Sequence, residues 1–533
     1  MTARSRSHWA WGFVDAFPSE EGREALGTQI AFLLGGDAPA LLPLPVLDAA
    51  RIPAPKIEVP ELLRDFASSA REDRIAHTYG RGYRDLVRGF RGDFSAAPDV
   101  VAHPRNEEDI LLLFDECARL DAVLVPYGGG TSVVGGVEYA GRARPVVSMD
   151  LGHLRRVREV DPVSRLARIE AGAKGPDLEA QLSSQGFTLR CFPQSFEHST
   201  LGGWLATRAG GHFATVYTHV DDLLASVRML SPGGAFETRR LPASGAGPDP
   251  NRLVLGSEGT LGVITEAWMR VFPRPTFRTS ASVTFREFRA AVDAARAIAQ
   301  SGLFPSNCRV LDPREALLHG VSADGSSVLL LAFESADHEL TPWIERALVI
   351  ATRAGGTCPE GPRTRRDGAT GRGEGGEGES WREAFLRGPY LQSALVSMGM
   401  VVDTFETACT WDRFEALHTE VKSTLRAAFV AMGERGLVSC RFTHVYPDGP
   451  APYYTFAVRA RSGDELERWA ILKNAASEAL LRMGATITHH HAVGRTHRPF
   501  YERERPGPLG DILRAAKTRL DPHGILNPGV LIA

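Results

Sequence analysis

"VPYGGGTSVVGG" (125–136) is the stretch on which the reading of the whole chain turns. A short apolar run ends at Tyr127, and Gly128, Gly129, Gly130, Thr131 and Ser132 follow before two further glycines. A loop without Cβ atoms lets its backbone N–H groups close around an anion. A P-loop of the G-x-x-x-x-G-K-[ST] type needs a lysine, which this stretch lacks. A Rossmann fingerprint needs a helix to open directly on the glycines. The next strand-like run, "PVVSMDL" (145–151), comes too soon for a crossover helix. Two readings remain, a structural glycine turn and a non-Rossmann nest for a diphosphate.

Two further stretches favour the nest. "PQSFEHSTLGGWLATRAGG" (193–211) sets the hydroxyls of Ser195, Ser199 and Thr200 beside Gly202 and Gly203. "GSEGTLGVITEAW" (256–268) is again glycine-rich and leads into a strand. Each is weak alone, and the three in this order are hard to explain as turns.

The chain has 533 residues, more than one core usually spans, so several domains are expected. Its 43% hydrophobic and 23% charged content is that of a globular protein, and a net charge of -3 gives no footprint for nucleic acid. Six cysteines (Cys117, Cys191, Cys308, Cys358, Cys409, Cys440) show no C-x-x-C spacing, which fits a reducing compartment. No apolar run reaches the ~18 residues of a membrane span. The start "MTARSRSHWAWGF" lacks a signal-peptide core, and "GVLIA" is not a peroxisomal tripeptide. The expected location is the cytoplasm.

The texture of the chain divides it into an N-terminal helical region (1–93), a first α+β unit (94–275), a second (276–485) and a closing segment (486–533). "HPRNEEDILLLFDECARL" (103–120) predicts a helix capped by Asn106, with Ile110, Leu111, Leu113, Phe114 and Cys117 as its apolar face. "AVLVPY" (122–127) predicts a buried strand feeding the glycine loop. Residues 358–380 are glycine-rich, charged and poor in large apolar groups, the composition of a mobile loop.

"TITHHHAVGR" (486–495) places His489, His490 and His491 in a row. If extended, His489 and His491 share one face and His490 takes the other. A metal would need a third ligand from elsewhere, and no spacing supplies one, so no metal is expected. In "APYYTFAVRA" (451–460), Tyr454 reads as core packing more readily than Tyr453. Arg309 and Arg441 suit a phosphate or carboxylate ligand, or a structural ion pair.

Taken together, "PYGGGTSV", "SFEHSTLGGWLATRAGG", "GSEGTLGVITEA", "FETACTWDRFE", "HHHAVG" and "DPHGILNPG" resemble the FAD-binding oxidases of the vanillyl-alcohol oxidase superfamily. Within it they are most similar to the alkyldihydroxyacetonephosphate synthase branch, to which "FETACTWDR" and "HHHAVG" point. The resemblance runs from about residue 80 to the C-terminus, and "HWAWGF" (8–13) also fits.

The resemblance implies an α+β fold: a two-subdomain, PCMH-type, non-Rossmann FAD domain and an α+β cap that covers the flavin. It implies that Pro126, Tyr127, Gly128, Gly129, Gly130, Thr131 and Ser132 contact the diphosphate and ribityl chain. Ser195, Ser199, Thr200 and Gly203 would lie along the flavin, with Glu258, Gly259 and Ile264 toward the adenosine half. With no histidine in Tyr127–Ser132, the FAD is expected to be non-covalent. Tyr453, His489, His490 and His491 become the catalytic group, and Arg309, Arg441 and Gln392 the substrate-binding one. One position departs from the pattern: relatives read "PYLRD" where this chain reads "PYLQS" (389–393), so Gln392 stands where a phosphate-binding arginine is expected. Glutamine hydrogen-bonds without charge, which weakens phosphate recognition unless a neighbour such as Arg387 takes over.

The implied activity is a net non-redox exchange in ether lipid synthesis, in which fatty alcohol replaces the acyl chain of acyl-dihydroxyacetone phosphate at a carbon held by flavin N5. The alternative is an FAD-dependent oxidase or dehydrogenase of a 2-hydroxy acid or other alcohol. A flavin-retaining scaffold without catalysis is disfavoured by the intact histidines and Tyr453. The expected partners are a small-molecule or lipid substrate, peripheral contact with a membrane, and a second copy in a homodimer.

Overall fold

A computed structural model describes residues 4–139, 141, 143–213, 215–366 and 388–532. Three sheets organise it. The first has four strands in the order Ala67–Ser68, Val100–Ala102, Val146–Asp150, Val123–Tyr127. Val123–Tyr127 runs parallel to Val146–Asp150, and both are buried nearly throughout. The glycine loop leaves this sheet directly at Tyr127, and the helix that covers the sheet, Glu107–Arg119, precedes the strand rather than following the loop. Asn106 caps that helix by accepting the N–H of Asp109 at 2.8 Å. Ile110, Leu113, Phe114 and Cys117 are buried, whereas Leu111 is exposed. At 100° per residue, Leu111 falls on the far side of the stripe set by the other four.

The second sheet has five antiparallel strands in the order Val157–Asp161, Leu166–Glu170, Val263–Arg270, Leu224–Ser231, Gly234–Glu237. Its own core gathers Ile169, Leu201, Trp204, Leu223 and Met269.

The third sheet has seven strands in the order Arg363–Arg366, Phe277–Phe285, Ser327–Ser335, Asn307–Leu311, Gly436–Val445, Pro450–Arg459, Met400–Glu406. Strand alternation gives it two different faces. Tyr454, Phe456 and Val458 enter a core shared with the helices Phe288–Ala299, Thr341–Arg353, Trp411–Ala431 and Glu465–Arg482. Tyr453, Thr455 and Ala457 face a cavity instead. The same holds for Val438, Cys440 and Phe442 against Leu437, Arg441 and Thr443. A register shift between Phe442 and His444 then brings Thr443 and His444, consecutive residues, to the cavity side.

Both chain ends are clamped to this frame. Trp9 packs edge-on against Phe17 and Phe90, and the Trp11 N–H donates to Ser393 Oγ at 3.1 Å. Near the C-terminus, Leu124 N donates to Ile525 O and Asn527 N to Leu124 O. Asn527 Nδ2 donates to both Gly136 O and Glu258 O at 2.9 Å, tying the first two sheets together. Residues 367–380 of the glycine-rich segment, and Arg387, lie outside the described residues.

Candidate active site

A cavity of about 580 Å³ is bounded by all three sheets. Every expected cofactor residue lines it: Pro126 to Ser132, Ser195, Ser199, Thr200, Gly203, Glu258, Gly259 and Ile264. So do Arg309, Gln392, Arg441, Tyr453, His490 and His491, while His489 stays behind them.

At one end the glycine loop forms a cradle. A Cβ on Gly129 would stand 1.9 Å from the backbone oxygen of His198, and one on Gly128 2.3 Å from Thr200 Oγ1. Gly130 has φ +64°. Among the described residues, the N–H groups from Gly128 to Val133 meet no protein acceptor. Consecutive unspent N–H groups in a buried turn are an anion nest. Two arginines not foreseen from the sequence flank it. Arg81 lines the cavity, lowered to about 10 by burial, and Arg6 donates to Gly129 O at 3.0 Å. These features fit the diphosphate of an FAD. Glu258 is buried with φ +51° and accepts the N–H groups of Val493 and Gly494 at 3.0 and 2.9 Å. Burial pushes its carboxyl up to about 7 despite those bonds.

The centre of the cavity is polar. Tyr453 is paired across the sheet with both Arg441 and Glu406, and the Arg441 guanidinium lies 4.0 Å from the centre of its ring. The Tyr453 hydroxyl donates to Thr404 Oγ1 at 2.9 Å, and burial raises its pKa, so it keeps its proton at neutral pH. Tyr454 is fully buried and stacks on Phe405. Arg441 forms an ion pair with Glu315, while Arg309 donates to His212 O at 3.0 Å and is lowered to about 9 by burial, then by Arg441. Gln392 Nε2 donates to Val402 O at 3.0 Å. Beside it, Lys473 pairs with Asp403 at 3.2 Å and lines the cavity, a cation that no sequence motif had marked.

The histidine run is not extended. Residues 489–491 fold as a tight turn around the carboxylate of Glu406, which accepts the N–H groups of His489, His490 and His491 and the hydroxyl of Thr488. The turn aims His490 and His491 into the cavity and His489 away from it, replacing the alternation expected of a strand. Burial would raise Glu406, but His490 and His491, then His489 and Thr488, hold it well below the usual carboxylate range. Burial lowers His490 to about 3 and His491 to about 4, so both are neutral.

His444 and His219 join them. Ring nitrogens of His444, His489 and His490 lie within 4.8 Å of one another, the third imidazole that sequence spacing could not supply. Both His444 nitrogens are engaged, however, Nε2 with Gly211 O at 2.9 Å and Nδ1 with Thr443 Oγ1 at 3.0 Å. A metal would have to break one of these bonds.

The other end of the cavity is apolar. Ile30, Leu391, Leu395, Val402, Leu437 and Ala457 line it, several of them from a small core of their own.

Two families match the chain: residues 98–238 match the family described as "FAD binding domain" and residues 274–531 that described as "FAD linked oxidases, C-terminal domain". The alkyldihydroxyacetonephosphate synthase of Dictyostelium discoideum is 30% identical over 506 residues, covering 90% of this chain and 82% of that protein. The Trypanosoma brucei brucei protein of the same description is 30% identical, covering 86% and 77%. A solved alkyldihydroxyacetonephosphate synthase superposes with a TM-score of 0.82 at 26% identity, covering 98% of each chain.

Two expectations follow from this geometry. Gly129→Ala, whose Cβ collides with the backbone at His198 and Ser199, should push the two walls of the cradle apart and purify without flavin absorbance, with circular dichroism checking that the variant is folded. A yellow variant with the wild-type spectrum would displace the diphosphate from this loop. Stability should also fall with acid. His490, His491 and His497 have folded-state pKa values below the ordinary ~6.5, so the unfolded chain binds more protons between about 4 and 6.5. Each fully shifted histidine then removes about 1.4 kcal/mol per pH unit on the way down. His77, held between Asp73 and Asp150 and raised, is charged in both states below about 6.5 and leaves this window unchanged; its own contribution is lost only as pH rises above it. Thermal unfolding from about pH 6.5 to 5 should show a falling Tm, and a flat profile would mean that these imidazoles are solvated.

Proposed function

The chain belongs to the alkyldihydroxyacetonephosphate synthase family of FAD-linked enzymes, and from that premise we propose that it exchanges the acyl chain of acyl-dihydroxyacetone phosphate for a fatty alcohol. The observation that carries this reading is the single cavity. It joins a diphosphate cradle, a polar centre with two arginines and a lysine, and an apolar arm, so cofactor, headgroup and chain meet in one space. FAD, bound non-covalently in the cradle, supplies the isoalloxazine at which the carbon–oxygen bond is exchanged. The protein supplies the rest. Arg441 and Arg309 orient the anionic headgroup, Lys473, paired with Asp403, adds a hydrogen-bond donor near Gln392, and the protonated Tyr453 with neutral His490 and His491 handles protons at the reacting oxygens.

The lipid substrates make a membrane surface the natural partner. Supporting this, Phe32 (82% exposed) stands out from the last turn of the helix Glu20–Leu34, and Leu42, Leu44 and Val46 from the segment that follows it; Ile30 of the same helix lines the apolar arm. Exposed side chains of this kind insert into a lipid interface. The cytoplasmic location is supported by the buried thiols Cys117, Cys191, Cys308 and Cys440.

Purified yellow protein mixed without air with palmitoyl-dihydroxyacetone phosphate should release palmitate and, with hexadecanol, yield the alkyl ether. No release, together with flavin bleaching by a 2-hydroxy acid and recovery in air, would establish the oxidase reading instead. In flotation with phosphatidylcholine vesicles the wild type should rise with the lipid, and Phe32→Glu with Val46→Glu should stay behind. Equal flotation of both would place the contact elsewhere.

A further inference from the structure

The contacts of His489 with two other imidazoles have a direction. His219 Nδ1 lies 3.1 Å from the backbone oxygen of Arg208, which can only accept, so Nδ1 carries the His219 proton and Nε2 a lone pair. That Nε2 lies 3.1 Å from His489 Nε2. Two facing lone pairs repel, and the Tyr446 hydroxyl, 2.8 Å from the same His489 nitrogen, is an acceptor there once its own proton goes to Thr218 Oγ1 at 3.0 Å, which together place the His489 proton on Nε2. Its Nδ1 then bears a lone pair, 3.1 Å from His490 Nδ1, and the same argument puts the His490 proton on Nδ1. Glu406, 3.4 Å away, favours a proton there too. His490, which lines the cavity, is left with a basic Nε2. One carbonyl thus fixes the tautomers of three rings.

We propose that His490, His489 and His219 form a proton relay that carries a substrate proton from the cavity to solvent. The inference rests on the exchange reaction above, whose balance requires such a path. The ester R–CO–O–CH2– and the alcohol R′–OH give the ether R′–O–CH2–, a carboxylate R–COO⁻ and one H⁺. The carbon–oxygen bond to the acid breaks and that to the alcohol forms. The leaving acid departs as an anion, so the alcohol proton must leave a buried site.

In the relay His490 Nε2 accepts that proton, and His490 Nδ1–H passes to His489 Nδ1. His489 Nε2–H then passes to His219 Nε2, and His219 releases its Nδ1 proton to water. Arg208 is exposed and His219 half-buried, so the Nδ1 of His219 is the end of the relay nearest solvent. Tyr446, whose hydroxyl lies 2.8 Å from His489 Nε2 and 3.0 Å from Thr218 Oγ1, holds the middle ring in place. The charged groups around the exit are Arg208, Asp221 and Asp222, and His444 stands beside the two inner rings. Burial lowers His219, His489 and His490, so none retains the proton in transit.

The test has two parts on the holoenzyme. Long-range ¹H–¹⁵N correlation of histidine-labelled protein near pH 7.5, assigned with single variants, should show His219 and His490 as Nδ1–H tautomers and His489 as the Nε2–H tautomer. An Nδ1–H tautomer at His489, or a stoichiometric bound metal with metal-shifted imidazole nitrogens, would overturn the relay. This readout does not need turnover, so it stands even if the wild type exchanges no acyl chain and the functional reading fails. In the active enzyme, His219→Ala should keep the flavin spectrum and KM while kcat falls on the order of ten-fold or more. It should show a larger solvent deuterium isotope effect and recover when imidazole is added to the buffer. Wild-type turnover with an unchanged isotope effect would exclude His219 from the path.

Discussion

The carboxylate of Glu406 is the point on which the catalytic end of this protein depends. It is the last residue of an outer strand of the seven-stranded sheet, fully buried, and it spends its acceptor capacity on three successive backbone N–H groups and one hydroxyl. A buried ionised carboxylate is expensive unless donors surround it, and here the donors come from a turn 83 to 85 residues away in sequence. The carboxylate needs the turn to stay solvated, and the turn has no regular ladder to hold it without the carboxylate. Each therefore stabilises the other, and the histidine orientation follows from their union.

The sheet beneath extends the same economy. A strand buried on both faces commonly reads as continuous apolar sequence. Here one face is apolar and packed on four helices, while the other carries Arg441, Thr443, Tyr453 and Thr455 toward the cavity. The cap is thus a rigid panel of functional side chains. The single irregularity, between Phe442 and His444, adds His444 to the panel without disturbing the core residues on either side.

How much of this was legible depends on how local each signal is. The cradle was legible because only glycine tolerates a backbone oxygen 1.9 Å from where Cβ would be, and such positions leave a mark in the residues themselves. Tyr453 and Tyr454 take opposite faces, one on the cavity and one in the core, because strand alternation is a two-residue rule. The histidine run misled because its shape is set by Glu406, within the quoted "FETACTWDRFE" but without any sequence mark of its role. His219, His444 and Lys473 were missed for the same reason. Each sits on a different element, and only tertiary contact makes it part of the site. Leu111 misled in a smaller way, since "ILLLF" offers more apolar residues than one helical stripe can hold.

The protonation states close the argument. Glu406 is ionised while the imidazoles it touches are neutral, which looks contradictory for groups 3.4 and 3.7 Å apart. The carboxylate's charge is met by fixed N–H donors, and although Glu406 pulls each imidazole toward its charged form, burial of the rings outweighs that pull. A permanently charged histidine would hold its proton and block the next. A neutral one with an anion nearby accepts a proton briefly and gives it up. The same turn that solvates Glu406 therefore keeps His490 basic enough to receive a proton and weak enough to release it, which is the property a buried exchange reaction requires.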